Sequence, residues 1–286
     1  MPEQSEKISS LQLIFLLVGF LMGTAIIYVP GADAGNNAWL AIIAGSLGGL
    51  ILLWIYMSLA TRYPGKNLIE INDLVFGTYV GKLVSILYLL FFLHVASLVV
   101  RVLAEFWALA YKSTPFLILL IVMVLVSAFT IQKGLEVLCR CSLILIAVLI
   151  PAILLQTMFL LPELDLSLLL PIMDISAEEF FHASSTVTTL VFGEAAVFLM
   201  ILGFSNKPQE IPGVMLKAFL ITVLLLLTLA IRDIAVLGSL STITTYPSIT
   251  AIRLTNLAEI ITRVEVIKNT TILTIVFIKF SIFYYA

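Results

Sequence analysis

The sequence predicts an all-helical integral membrane protein, with about eight transmembrane spans arranged as an inverted repeat. Of its 286 residues, 62% are hydrophobic and only 11% are charged, whereas soluble domains are ~45–50% apolar and ~25% charged. A soluble core of this size could not cover so much apolar surface. Apolar stretches near the ~20 residues that cross a ~30 Å hydrocarbon layer recur along the chain. Five such stretches precede a long polar loop, so the next set begins from the opposite side.

Each apolar stretch is expected to be a helix, because backbone polar groups in lipid must be hydrogen-bonded internally. The whole chain is therefore predicted to be one transmembrane domain, 1–286. The charged residues Arg232 and Asp233 interrupt the apolar pattern of the seventh span, and Lys279 interrupts that of the eighth. The predicted spans are 10–30, 37–60, 83–109, 114–132, 141–161, 183–205, 214–237 and 268–286.

The distribution of basic residues predicts a cytoplasmic N-terminus. The uncharged run from Ile8 to Ala32 is longer than the ~7–15 apolar residues of a cleaved signal, so it is interpreted as the first span. The first three outside loops contain only Lys112, and the positive-inside rule then sets the orientation. The basic residues on or near the cytoplasmic side are Lys7, Arg62, Lys66, Lys82, Lys133, Arg140, Lys207 and Lys217.

Two stretches do not fit the pattern of spans. Residues 67–77, "NLIEINDLVFG", are interpreted as a short cytoplasmic surface helix. Residues 238–264 are too polar for a span and end in an amphipathic stretch. We expect them to form an external re-entrant or surface segment that covers the bundle.

The first helix of each repeat carries glycine near its middle. We assign 8–161 to the first repeat and 183–286 to an incomplete second repeat. Inverted-repeat transporters interrupt these helices near the membrane midplane and bind solutes there. Gly19 and Gly23 lie in the first such helix and Gly193 in the second. The alternative for the first two is close helix packing through a GxxxG motif.

Glu194 is the only charged residue between Phe180 and Asn206. A carboxylate at mid-bilayer costs about 2.5–3.5 kcal/mol on insertion scales, so it needs a compensating environment. At a helix break it could accept hydrogen bonds from freed N–H groups, face a hydrated cavity, or take up a proton. This predicts ligand binding and proton or ion coupling at Glu194. The alternative is a protonated side chain that only joins two helices.

Two further helices carry polar groups inside predicted spans. His94, Ser97, Arg101 and Glu105 share one stripe of the third span. We expect an intrahelical Arg101–Glu105 ion pair facing protein, while His94 either lines the cavity, relays a proton or packs. Lys279 could pair with Glu194 or bind a carboxylate, but snorkelling to the inner surface is preferred.

The sequence offers no enzyme constellation. It lacks a phosphate-binding glycine loop, a Ser/His/Asp arrangement and an HExxH pair, so no catalytic residue is predicted. Cys139 and Cys141 alone cannot complete a zinc site, and neither metal nor cofactor is expected. A net charge of −2 without a basic stripe indicates no nucleic-acid partner.

Several stretches together resemble the GerAB-type spore germination protein family, within the amino acid–polyamine–organocation transporter superfamily. The resemblance runs from about residue 8 to 286, and the combination of stretches is specific to the family. They are "KISSLQLIFLLVGFLMGTAIIYVPG", "ATRYPGKNLIEI", "RVLAEFW", "VFGEAAVFLM" and "YPSITAIRLTNLAEIITRVEVI".

The resemblance implies a germinant-receptor B subunit in the inner membrane of a bacterial spore, acting with A and C subunits on a nutrient such as an amino acid. It also implies a LeuT-like fold of five plus five inverted helices around a midplane site. The alternatives are a proton- or sodium-coupled amino acid permease and a structural subunit without a binding site. The candidate ligand-binding residues are Gly19, Gly23, Thr24, His94, Ser97, Phe192, Gly193, Glu194 and Lys279.

One feature departs from the family. Its members resemble ten-span proteins, whereas this sequence stops after the eighth predicted span, at Ala286. The second repeat is therefore expected to lack its last two helices. A truncated product and an eight-span form that relies on a partner are the two interpretations.

Overall fold

A computed structural model describes residues 7–110, 115–244, 246–254 and 261–286. These residues form helices and no β-strand, although Ile8 and Ser205 make an isolated parallel bridge. The α-helices are α1 (Ser10–Met22), α2 (Ala38–Arg62), α3 (Leu68–Ala110), α4 (Phe116–Gln132), α5 (Leu135–Leu160), α6 (Ala177–Val187), α7 (Ile211–Leu237), α8 (Leu240–Ile243), α9 (Pro247–Leu254) and α10 (Ile261–Tyr285).

Six helical segments in the described part of the chain are long and apolar enough to cross a membrane. Two of the eight predicted spans instead correspond to shorter apolar helices, Ser10–Met22 and Leu117–Gln132. The 13 residues of α1 rise only about 20 Å at 1.5 Å per residue. The first predicted span is thus not one continuous transmembrane helix. The long segments are Ala32–Arg62, Leu68–Ala108, Leu135–Glu163, Ala177–Met200, Pro208–Leu237 and Val266–Tyr285.

Helix α1 lies at the centre of the bundle. A capping box fixes its start: the Ser9 hydroxyl accepts from the Gln12 amide, and the Gln12 side chain accepts from the Ser9 amide. From Leu16 to Met22 every side chain is buried, and α1 packs against α5, α7 and α10. Such all-round burial is the arrangement expected for a helix that is hydrophobic on every face.

Helix α2 closely approaches, through glycines, the segment Ala177–Met200, which is called the sixth segment because it corresponds to the sixth predicted span. A Cβ atom added to Gly45 would lie 2.5 Å from the Ser184 carbonyl oxygen, and one added to Gly49 would lie 2.2 Å from the Phe192 ring. Small residues allow helices to approach this closely in membranes. The contact holds α2 against the segment that carries Glu194.

We therefore expect Gly49→Ala to destabilise the protein by about 1–3 kcal/mol through overpacking against the Phe192 ring. Gly213→Ala is the matched control, since a Cβ at this position in α7 would meet no heavy atom within 4 Å. The control should leave stability unchanged or raise it by up to about 1 kcal/mol through helix propensity. Thermal unfolding of the purified protein in detergent measures both. Equal stability of the two variants would contradict this close packing.

The predicted surface helix at 67–77 is continuous in the chain with the third span. Helix α3 contains both, but Gly77 takes φ +76° and ψ 166° between them. This is a non-helical conformation that glycine adopts without a steric penalty. The residues before Gly77 therefore form a separate helical arm.

The predicted external segment at 238–264 is partly described. Helices α8 and α9 form within it, and α9 packs against both α7 and α10. Ser248 and Ala251 are buried in these contacts. Thr245 and 255–260 lie outside the described residues. The described part of the segment thus packs against α7 and α10.

Candidate functional site

The first helix stops at Gly23. The Gly23 amide donates to the Gly19 carbonyl at 3.1 Å, and a short 3₁₀ turn, Thr24–Ile26, continues the chain. A Cβ on Gly23 would lie 2.3 Å from Cδ of Lys279 and 2.6 Å from the carbonyl oxygen of Phe20. The chain can end its helix in this way only because residue 23 has no side chain.

The sixth segment changes its winding and is not interrupted. After α6, residues Thr188–Phe192 form a π-helical turn and Gly193–Met200 form 3₁₀ turns. The sequence predicted a break in the helix at Gly193. The structure shows a change of helix type there instead, because Phe192 and Gly193 both keep right-handed helical dihedral angles. A π turn often marks a functional site. Here the Tyr56 hydroxyl of α2 donates to the Gly193 carbonyl at 3.0 Å.

Glu194 and Lys279 form a buried ion pair. The Lys279 ammonium nitrogen lies 2.6 Å from Oε2 of Glu194, and the side chains are only 2% and 10% exposed, respectively. The same ammonium donates to the Thr24 hydroxyl at 3.3 Å and lies 5.4 Å from the centroid of the Phe20 ring. The pair thus joins the end of α1 to the sixth segment and to α10.

The preferred prediction of snorkelling for Lys279 is wrong. Helix α10 packs against α1, α3, α4 and α5, so Lys279 has no open route along its own helix to the membrane surface. Its alternative, pairing with Glu194, is the observed arrangement. Removing both charges from water is costly, and the mutual attraction repays this only with close geometry. The 2.6 Å separation and the hydrogen bond from Lys279 to Thr24 meet part of that condition, while Oε2 of Glu194 itself makes no hydrogen bond within the described residues.

The polar stripe of α3 does not join this pair. His94 and Ser97 are exposed, and the Ser97 hydroxyl donates to the His94 carbonyl of its own helix at 2.6 Å. Arg101 and Glu105 form the predicted ion pair at 2.8 Å, but it is exposed and does not face protein. The stripe faces outward because the opposite face of α3 carries the apolar side chains that pack into the core. These include Phe92, Val95, Val99, Leu103 and Phe106.

Two other predicted site residues serve packing in this structure. A Cβ on Gly19 would lie 2.9 Å from the Ile146 side chain, which agrees with the packing alternative for this glycine. Phe192 is buried, and its ring centroid lies 4.9 Å from that of Phe219. The residues brought together are therefore Gly23, Thr24, Glu194 and Lys279, with Gly193 adjacent.

Sequence reasoning missed Phe20 and Tyr56. Phe20 places its ring beside the Lys279 ammonium, and Tyr56 holds the Gly193 carbonyl. Both are single aromatic residues in apolar helices, where the local pattern indicates only burial. Their roles depend on contacts between helices that are distant in sequence.

Metal chemistry has no support within the described residues. No group of three or more His, Cys, Asp or Glu side chains there is placed to hold a metal ion. The arrangement around Glu194 is instead a pair of opposite charges beside the C-terminal end of α1.

The family model and the three relatives that match this chain are all described as spore germination proteins. Residues 7–286 match the model of the Spore_permease family, described as spore germination protein. The chain is similar to spore germination protein KB of Bacillus subtilis (strain 168), with 30% identity over 99% of this chain and 77% of that protein. Spore germination protein B2 of the same organism is 20% identical over 74% of this chain and 58% of its own length. Spore germination protein YndE, also from that organism, is 21% identical over 83% of this chain and 66% of its own length.

Proposed function

This chain belongs to the spore germination protein family, and from that premise we propose that it is a receptor subunit that binds a small nutrient with amino-acid chemistry. The proposed binding residues are Gly23, Thr24, Glu194 and Lys279. The protein lies in the membrane, as its apolar helices and its permease-type family indicate. We place it in the spore inner membrane with its N-terminus in the cytoplasm, acting with A- and C-type subunits. Binding and signalling, without chemical conversion of the nutrient, is the proposed activity.

The observation that carries the proposal is the Glu194–Lys279 pair at 2.6 Å. A zwitterionic amino acid has the same two charges, an ammonium and a carboxylate. Inserted between the side chains, its ammonium would pair with Glu194 and its carboxylate with Lys279. No buried charge would then lose its partner, which is the condition for low-cost binding in a dry site.

Thr24 and the end of α1 support the same orientation. The Thr24 hydroxyl already accepts a hydrogen bond from Lys279, and a hydroxyl can also donate to a carboxylate oxygen. The helix ends beside it at Gly23, so main-chain polar groups there lie outside the regular helical pattern. A carboxylate near Lys279 would therefore find a second donor.

Signalling follows if the nutrient separates the pair. With the pair closed, both side chains are almost fully buried; with a nutrient between them, α10 and the segment that carries Glu194 must move apart. A ligand shifts such an equilibrium only by its differential affinity for the two states. The movement of α10 against the segment that carries Glu194 would then be the change that partner subunits detect.

A proton- or sodium-coupled amino acid permease is the second candidate. The same buried carboxylate supports it, because protonation of Glu194 would release Lys279 and open the site. Substrate-dependent proton flux into proteoliposomes would favour this candidate, and flux that persists in Glu194→Gln would remove Glu194 from coupling. A sensor binds its nutrient without such flux.

The binding test uses the purified receptor complex and matched ligands. We expect an amino acid to bind at least tenfold more tightly than its decarboxylated amine or its deaminated acid, a difference of about 1.4 kcal/mol or more. Sugars and nucleosides complete the panel. Equal binding of the amine or the acid, or preference for a sugar, would contradict the paired-charge site.

A further inference from the structure

A second group of buried charges lies away from the Glu194–Lys279 pair. Arg232 and Asp233 are neighbours in α7 and Lys268 lies in α10; their exposed fractions are 1%, 0% and 1%. Ser248 of α9 is buried beside them. Lys268 precedes Lys279 by 11 residues on the same helix, about 16 Å along its axis. The two lysines therefore belong to different sites.

The Asp233 carboxylate is already occupied by other partners. Its Oδ1 accepts from Nε of Arg232 at 2.8 Å and from the guanidinium Nη2 at 2.5 Å. Its Oδ2 accepts from the Ser248 hydroxyl, which in turn accepts from Nη2 of Arg232 at 2.9 Å. The carboxylate thus neutralises Arg232 and accepts three hydrogen bonds from Arg232 and Ser248.

Two cationic donors remain without a partner in the described part of the chain. The Lys268 ammonium and Nη1 of Arg232 are both buried and make no hydrogen bond there. Lys268 nevertheless lies close enough to interact electrostatically with both Arg232 and Asp233. When Lys268 is protonated, two positive groups and one negative group leave the cluster with one excess positive charge.

An uncompensated ammonium in this environment is unfavourable, because several kcal/mol of desolvation is not recovered by any opposite charge. Buried charges in proteins are normally paired and hydrogen-bonded. Guanidinium and ammonium N–H groups are the donors that bind carboxylates and other anions. One monovalent anion would satisfy both donors and bring the net charge of the cluster to zero.

We propose that Lys268 and Arg232 bind one small monovalent anion, a halide or a compact carboxylate, where α7, α9 and α10 meet. A small ion is required because Lys268 and Arg232 are each only 1% exposed among packed side chains. The anion joins α9 to the two long helices through their charged side chains. This site is independent of the nutrient site.

Thermal unfolding of the full chain in detergent tests the site directly. At constant ionic strength, replacing sodium gluconate by sodium chloride, bromide or formate should raise the midpoint by about 2–4 °C. Gluconate is too large to enter. In Lys268→Met the midpoint should no longer depend on the anion, whereas Lys217→Met, which removes an exposed lysine of α7, should keep the full dependence.

Binding of ³⁶Cl⁻ to the unmodified protein provides a second measurement that needs no variant. We expect saturation at one chloride per chain, with competition by bromide and formate. A midpoint raised by formate, with no saturable chloride binding, would identify a carboxylate as the ligand. A midpoint that is equal in all salts, together with no saturable ³⁶Cl⁻ or formate binding, would overturn the proposal and leave Lys268 as an uncharged packing residue.

Discussion

Replacing one partner of the Glu194–Lys279 pair is expected to destabilise the protein by about 3–5 kcal/mol, because the other charge stays buried without a counterion. Glu194→Gln and Lys279→Met are the two single changes. The double variant should recover most of this loss, since the removal of both charges leaves a neutral interior of similar volume. Thermal or denaturant unfolding in detergent gives the three values.

Nutrient binding should follow a different pattern from stability. Each single variant keeps only one of the two charges that would pair with a zwitterionic nutrient, and the double variant keeps neither. We therefore expect the double variant to fold but to lose nutrient binding. Recovery of binding together with stability would show that the pair only joins helices, as the structural alternative for Glu194 holds.

The exposed pair of Lys66 and Glu70 is the matched control. It has the same chemistry, at 3.1 Å, but its side chains are 47% and 43% exposed. Lys66→Met and Glu70→Gln should each change stability by no more than about 1 kcal/mol, because water screens exposed pairs. A similar loss at both pairs would mean that burial of Glu194 and Lys279 is not the cause.

Replacing Gly23 by alanine is expected to reduce nutrient sensitivity at least tenfold. The new Cβ would lie 2.3 Å from Cδ and 3.0 Å from Nζ of Lys279, so the lysine must leave its place beside Glu194. It would also lie 2.6 Å from the Phe20 carbonyl oxygen, which is main chain and yields less readily. The dose–response to nutrient in spores, with the amount of protein in the membrane measured in parallel, tests this expectation.

Gly193→Ala is the control for this second prediction. Around Gly193 an added Cβ would find its nearest heavy atoms at 3.7 and 4.0 Å, which are ordinary van der Waals contacts. Its response should stay within about twofold of the unmodified protein, a difference of about 0.4 kcal/mol. If Gly23→Ala responds like Gly193→Ala at equal protein levels, the end of α1 is not part of the nutrient site.

The glycines also show where sequence reasoning reached its limit. From the sequence alone, Gly19, Gly23 and Gly193 cannot be told apart, because each is a small residue near the middle of an apolar helix. In the structure Gly19 packs against Ile146, Gly23 makes room for Lys279, and a Cβ on Gly193 would make only ordinary van der Waals contacts. The difference lies in the neighbouring helix at each position, which hydropathy does not report.

The sequence by itself determined that the chain is helical and membrane-embedded, that it belongs to the spore germination protein family, and that Glu194 occupies an apolar segment. These properties depend on composition and on residues near one another in the chain. Only the tertiary structure decided that Lys279 turns inward to Glu194, that the α3 stripe of His94 and Ser97 turns outward, and that Lys268 is buried without a hydrogen bond to any described residue. The physical reason is that a buried charge is stabilised by partners on other helices, and helix packing alone selects those partners.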